Sequence, residues 1–141
     1  MSSAHDVETP MALSADIAIY AARLVRALRR RHEAPAGVRV LSVLEENGPL
    51  GVTDLARIDG CSQPTMSTAV SQLVEGGLVS KAPHPTDARG SVVSLTAAGV
   101  TALTAYRGTY AATISERLRA AGRTEEELAT AVGVLRDILE S

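Results

Sequence analysis

Residues 60–78 read Gly60-Cys61-Ser62-Gln63-Pro64-Thr65-Met66-Ser67-Thr68-Ala69-Val70-Ser71-Gln72-Leu73-Val74-Glu75-Gly76-Gly77-Leu78, and this stretch decides the fold. Ser62 offers a side-chain oxygen to the unpaired N–H groups of a helix first turn, and Pro64 is tolerated there because those N–H groups have no partner inside the helix. Met66, Ala69, Val70 and Leu73 recur at i, i+3, i+4 and i+7, a single apolar stripe that predicts a helix to Glu75, ended by Gly76 and Gly77. Opposite the stripe lie Gln63, Thr65, Ser67, Thr68, Ser71 and Gln72, all hydrogen-bonding groups and none of them acidic. Ser and Thr are weak helix formers that a merely solvated face would not favour. Such a face suits phosphate oxygens and base edges, although an ordinary solvated surface is the plainer alternative. It holds no Arg or Lys, the commonest partners of guanine, so Gln63 and Gln72, suited to adenine, are its candidates for direct readout.

Upstream, Thr53 and Asp54 suit a first turn, and Leu55, Ala56 and Ile58 give an apolar side to a helix over 52–58. Asp59, Gly60 and Cys61 make the tight turn between the two helices. Downstream, Leu78 to Lys81 and Ser91 to Leu95 are short β-prone runs on either side of the polar residues 83–90, a hairpin with a long tip. Two short helices joined by a Gly-containing turn and followed at once by a hairpin make a winged helix-turn-helix, whose second helix can enter the major groove.

Further out, the chain is helical on both sides. Leu13, Ile17, Tyr20, Ala21, Leu24 and Leu28 form the stripe of a first helix that starts near Thr9 and Pro10 and ends in Arg29, Arg30, Arg31 and His32, while the first ten residues read as a frayed end. Pro35 suits the first turn of a second helix carrying Val38, Leu41 and Leu44 and stopped by Asn47, Gly48 and Pro49. Thr96 caps a long helix bearing Leu103, Tyr106, Tyr110, Ile114 and Leu118, with Gly122 at its end. Thr124 with Glu127 three residues on is a capping box that opens a last helix with Leu128, Ala131, Val132, Leu135 and Leu139. The expected fold is therefore mainly α with a small β-hairpin wing, in one domain over residues 1–141.

Several of these pieces, taken in order, resemble the MarR family of dimeric bacterial and archaeal regulators. Gly48-Pro49-Leu50 leads into Thr53-Asp54-Leu55-Ala56, and Cys61-Ser62-Gln63-Pro64-Thr65-Met66-Ser67 opens the reading helix. Leu73-Val74-Glu75-Gly76-Gly77-Leu78-Val79 closes it, and Asp87-Ala88-Arg89 precedes Val93-Ser94-Leu95-Thr96. The pairing of an Asp-x-Arg tip with Val-x-Leu-Thr at this distance is the most specific element. The resemblance implies a winged helix-turn-helix DNA-binding lobe over about residues 35–95, with dimerisation helices over about 10–33 and 96–141. It implies double-stranded DNA as partner, a homodimer, an inverted-repeat operator, and repression as the commoner outcome. It carries Arg89 over as a contact to the minor groove or backbone and Asp87 as the residue that helps hold the wing. The DNA-binding set expected is thus Ser62, Gln63, Pro64, Thr65, Ser67, Thr68, Ser71, Gln72, Asp87 and Arg89. A small aromatic or phenolic effector that lowers DNA affinity is a further implication, for which Tyr20, Tyr106, Tyr110, Arg23 and Arg26 are available but not assigned.

Charge and composition narrow the rest. The net charge is −2, and residues 1–33, 34–95 and 96–141 carry five, four and five basic groups against four, six and six acidic ones, so no segment is a basic tail that coats nucleic acid. Arg29 to Arg31 and His32 suit the helix dipole as well as they suit phosphate. Lys81 and His84 flank the wing tip, where a backbone contact competes with the reading of an exposed side chain without a partner. Without Phe or Trp, the core must be aliphatic. Cys61 has no second cysteine to pair with and no cation beside it in sequence, so a passive turn residue is expected over a redox switch. No apolar run reaches a membrane span, no signal peptide opens the chain, and a cytoplasmic place follows as the default. His5, His32 and His84 are scattered, and no HExxH, CxxC, GxSxG or phosphate loop is present. Neither catalysis, a metal nor a cofactor is therefore expected. The alternatives left open are a winged-helix module for protein contacts without specific DNA binding and a redox-responsive regulator acting through Cys61.

Overall fold

A computed structural model describes residues 9–32 and 37–141. The chain forms two compact units, residues 1–33 and 34–141. The first is helix α1, Pro10–Arg31. Thr9 caps it by accepting from the Ala12 N–H at 3.1 Å, Pro10 sits in its first turn, and Arg29, Arg30 and Arg31 occupy the last turn, where the helix dipole favours cations. The start at Thr9 and Pro10 is as expected; the frayed end expected upstream lies almost wholly outside the described residues. Met11, Leu13, Ile17, Tyr20 and Leu24 are left exposed along α1.

The second unit contains α2 (Val38–Asn47), β1 (Leu50–Gly51), α3 (Val52–Asp59), α4 (Gln63–Glu75), β2 (Val79–Pro83), β3 (Ser91–Leu95), α5 (Ala97–Ala120) and α6 (Glu125–Glu140). The expected helix start at Pro35 lies outside the described residues. Each of the inner helices starts and stops for a local reason. Ser62 accepts from the Thr65 N–H at 3.2 Å to cap α4. Gly60, at φ +75°, ends α3 in the left-handed region that makes the turn into α4, a conformation costly for residues with a Cβ.

The core is aliphatic, as the composition demands. Val40, Leu41 and Leu44 of α2 meet Leu55 and Ala56 of α3, and Met66, Val70 and Leu73 of α4, with Val79, Val93 and Leu103 closing the cluster from the strands and α5. Each of these side chains larger than Ala contributes about 1.5–3 kcal/mol by leaving water. The stripe read on α4 is thus its buried face, which turns the Ser, Thr and Gln face outward.

The wing is more than a hairpin. β2 and β3 pair antiparallel, Val79 opposite Leu95 and Pro83 opposite Ser91, and β1 adds Leu50 and Gly51 opposite Val93 and Val92, giving the sheet order β1-β3-β2. β2 begins one residue later than expected and runs two residues further, because Leu78 is used in the turn from α4: its N–H donates to the Leu73 carbonyl at 2.9 Å and its own carbonyl accepts from the Thr96 N–H at 3.2 Å. Thr96 fixes the start of α5 to the same place. Its hydroxyl donates to the Gly77 carbonyl at 2.6 Å and accepts from the Gly99 N–H at 3.1 Å. At Gly99 a Cβ would lie 2.1 Å from the Leu78 carbonyl oxygen, so only glycine allows this approach. Ion pairs Arg39–Asp59 and Arg107–Glu45 join α2 to α3 and to α5. α6 opens on the expected capping box of Thr124 and Glu127 and buries no residue; Val132, Leu135, Ile138 and Leu139 stay exposed.

Candidate nucleic-acid interface

The outward face of α4 divides into two halves. In the first, polar groups are tied to one another. Ser62 Oγ donates to Thr65 Oγ1 at 2.8 Å, Thr68 Oγ1 donates to the Pro64 carbonyl at 3.1 Å, and Gln63 Nε2 donates to Thr53 Oγ1 on α3. In the second half, Ser67, Ser71 and Gln72 are exposed, and their side chains make no hydrogen bond among the described residues. A bidentate contact to adenine needs both the oxygen and the nitrogen of a carboxamide. Gln72 offers both, whereas Gln63 offers both only by releasing Thr53. No carboxylate lies on the face between Gln63 and Gln72; Glu75 closes the helix beyond it.

The wing tip spans residues 84–90 and is held by its own side chains. Asp87 Oδ1 accepts the Arg89 backbone N–H at 3.0 Å, and the Gly90 N–H donates to the Asp87 carbonyl at 3.1 Å. Asp87 therefore shapes the backbone and does not engage the Arg89 guanidinium, which makes no ion pair among the described residues and stands exposed. The tip closes through the His84 N–H, which donates to the Gly90 carbonyl at 3.1 Å. The His84 ring corrects the reading of an exposed side chain without a partner. Its Nδ1 accepts the N–H groups of Thr86 and Asp87, each at 3.1 Å, and lies 3.2 Å from Thr86 Oγ1.

The MarR family's sequence profile matches residues 35–91, which take in α2, α3, α4, β2 and the wing tip and end at the first residue of β3. An uncharacterised HTH-type transcriptional regulator of Mycobacterium bovis is 30% identical over 120 residues, covering 82% of this chain and 84% of its own. A similar regulator of Mycobacterium leprae is 30% identical over 110 residues, 75% and 77% of the two chains. The chain belongs to the MarR family. Solved structures agree in fold. A mutant MarR from E. coli superposes with a TM-score of 0.66 at 21% identity, covering 90% of this chain and 96% of that one. The complex of that mutant with operator DNA superposes at 0.57, again at 21% identity, covering 90% and 93%. A protein of Mycobacterium tuberculosis reaches 0.64 at 23% identity, with 94% of each chain covered.

As a MarR-family chain it is a transcriptional regulator and not an enzyme. Its expected site residues fall on two elements of one lobe, Ser62 to Gln72 at the start and along α4, and Asp87 with Arg89 on the tip. Two contributors were not among them. Thr53 engages Gln63 from ten positions away, a pairing that no spacing rule reveals. His84 did carry a signal, since a ring nitrogen acceptor ahead of Pro85-Thr86-Asp87 can play the part that Asn or Asp plays in a side-chain-closed turn. Cys61 is half-buried in the α3–α4 turn, packed against the core, with its N–H on the Ala56 carbonyl at 3.1 Å. The tyrosines of α5 pair with each other, Tyr106 and Tyr110 hydroxyls 3.0 Å apart and rings edge to face, and Arg23 stacks 5.4 Å above the Tyr20 ring on α1. No described helix is long and apolar enough to cross a membrane, and no cluster of metal-ligating side chains occurs among the described residues.

Proposed function

We propose that this MarR-family regulator is a sequence-specific DNA-binding protein, a cytoplasmic homodimeric repressor that holds an inverted-repeat operator and is released by a small aromatic effector. The observation that carries the proposal is the pairing of an acid-free polar face on α4 with a preformed wing tip whose Arg89 guanidinium is unengaged among the described residues. With a net charge of −2, phosphate attraction alone gives a weak complex. Affinity must come from shape, from base edges read by Ser67, Ser71 and Gln72, and from two lobes acting together on half-sites about 34–36 Å apart. The apolar residues exposed on α1, and separately those exposed on α6, are candidate surfaces for the second copy.

A fluorescence anisotropy titration against DNA from upstream of the regulator's own gene, at two salt concentrations, tests this. Saturable and salt-sensitive binding to a short inverted repeat is expected, with Arg89→Ala weakening it by about 1–3 kcal/mol, or about 5- to 150-fold. Failure to prefer any sequence over random DNA at low salt would instead favour a protein-contact module, for which the excess of acids over bases in residues 34–95 is the supporting observation.

A further inference from the structure

Two backbone N–H groups of the wing tip share one acceptor atom. Between Pro83 and Ser91 the chain turns through seven residues, and Thr86 and Asp87 both direct their backbone N–H groups onto His84 Nδ1. Pro85 favours an extended backbone at His84, which leaves the ring above the N–H groups that follow it. Asp87, placed by that contact, in turn fixes Arg89 by accepting its N–H. We propose that His84 is a positioning residue for Arg89, holding the wing in its DNA-reading form only while its ring is neutral and carries its proton on Nε2. The inference rests on the reading of α4 and the wing as a DNA interface.

A neutral imidazole has one acceptor nitrogen, and the imidazolium has none. Gain of the second proton at Nδ1 sets three donors against one another: the new ring N–H and the N–H groups of Thr86 and Asp87. Thr86 Oγ1, 3.2 Å away, can accept the new proton, but both amides lose their partner. The charged groups of the tip are Asp87 and Arg89, with Lys81 further back on β2. The Asp87 carboxylate would attract the imidazolium, and moving toward it takes Oδ1 from the Arg89 N–H. Either rearrangement releases Arg89 from its aim.

The sign of the effect separates this from simple electrostatics. An added positive charge beside the wing strengthens attraction to phosphate, so a bystander histidine makes binding tighter in acid. Loss of the Arg89 contact makes it weaker, on the order of tenfold.

The test uses the full chain as wild type, His84→Asn and His84→Ala. Asn places its Oδ1 two bonds from Cβ, as Nδ1 is, and takes up no proton. The first readout, independent of DNA, is NMR of the Thr86 and Asp87 amides from about pH 8 to pH 5.5; the second is the anisotropy titration on the upstream duplex at constant ionic strength. Wild type is expected to hold both amides hydrogen-bonded at the higher pH and lose them at the lower, with a parallel tenfold loss of affinity. His84→Asn keeps amides and affinity at both, and His84→Ala lacks the amide bonds at both and binds about tenfold more weakly than wild type at the higher pH. Tighter wild-type binding in acid, amides indifferent to pH, or an Asn variant that behaves as Ala each overturns the proposal. Absence of DNA binding by all three proteins, with the amide pattern as expected, overturns the DNA reading beneath it and leaves His84 as the residue that builds the tip.

Discussion

Gly99 shows how much one missing methyl group can matter. A Cβ there would stand 2.1 Å from the Leu78 carbonyl oxygen, and the obstacle is backbone, which cannot rotate away as a side-chain end does. Gly99→Ala is therefore expected to force α5 off the root of the wing and to cost on the order of 3 kcal/mol. At this chain length that lowers the thermal midpoint by about 10 °C, measurable by calorimetry or circular dichroism. Nothing in the sequence around Gly99 announces this, because the clash is with a residue 21 positions away across the wing. The same limit hid Thr53 as the partner of Gln63. What was legible at this scale was local chemistry, such as Ser62 as a cap and Gly60 in a tight turn, where cause and effect lie within a few residues.

At the scale of elements, caps and apolar rhythm located every described helix to within a few residues, whereas β1 escaped. Two residues have no periodicity, and Asn47-Gly48-Pro49 reads only as the stop of a helix until the pairing of Leu50 with Val93 is seen. The last helix was the most legible, since its capping box is written in sequence, and that box makes it sensitive to acid. The Glu127 carboxyl is held below its ordinary value first by the Thr124 backbone N–H and then by Arg123. Because the folded form favours the carboxylate, its contribution is present above the ordinary carboxyl range and is lost as pH falls through the lowered value. Amide exchange in the first turn of α6 is expected to quicken in that acid range. Glu127→Gln keeps a side-chain acceptor but cannot titrate, so its exchange should show a flatter dependence on pH.

At the scale of the whole molecule, the exposed apolar residues are the main unsettled account. Leaving Val132, Leu135, Ile138 and Leu139 of α6 partly in water, along with Ile17, Tyr20 and Leu24 of α1, forgoes for most of them about half of the roughly 1.5–3 kcal/mol that full burial of a large apolar side chain contributes. If these surfaces join two copies, Leu135→Asp should shift the species seen in sedimentation velocity from dimer to monomer while leaving the α2–α4 core folded. A variant that sediments as wild type would exclude Leu135 from the contact. In sequence a homodimer is implied only by the family resemblance, because an amphipathic stripe does not say which surface will cover it. The bonds of Thr96 to Gly77 and Leu78, with Leu103 in the core and Arg107 paired to Glu45, also clamp α5 to the winged lobe along its first three turns, so the wing root and the helix share one foundation. Its 24 residues reach about 36 Å, and the stretch beyond Arg107 extends about 20 Å past that clamp.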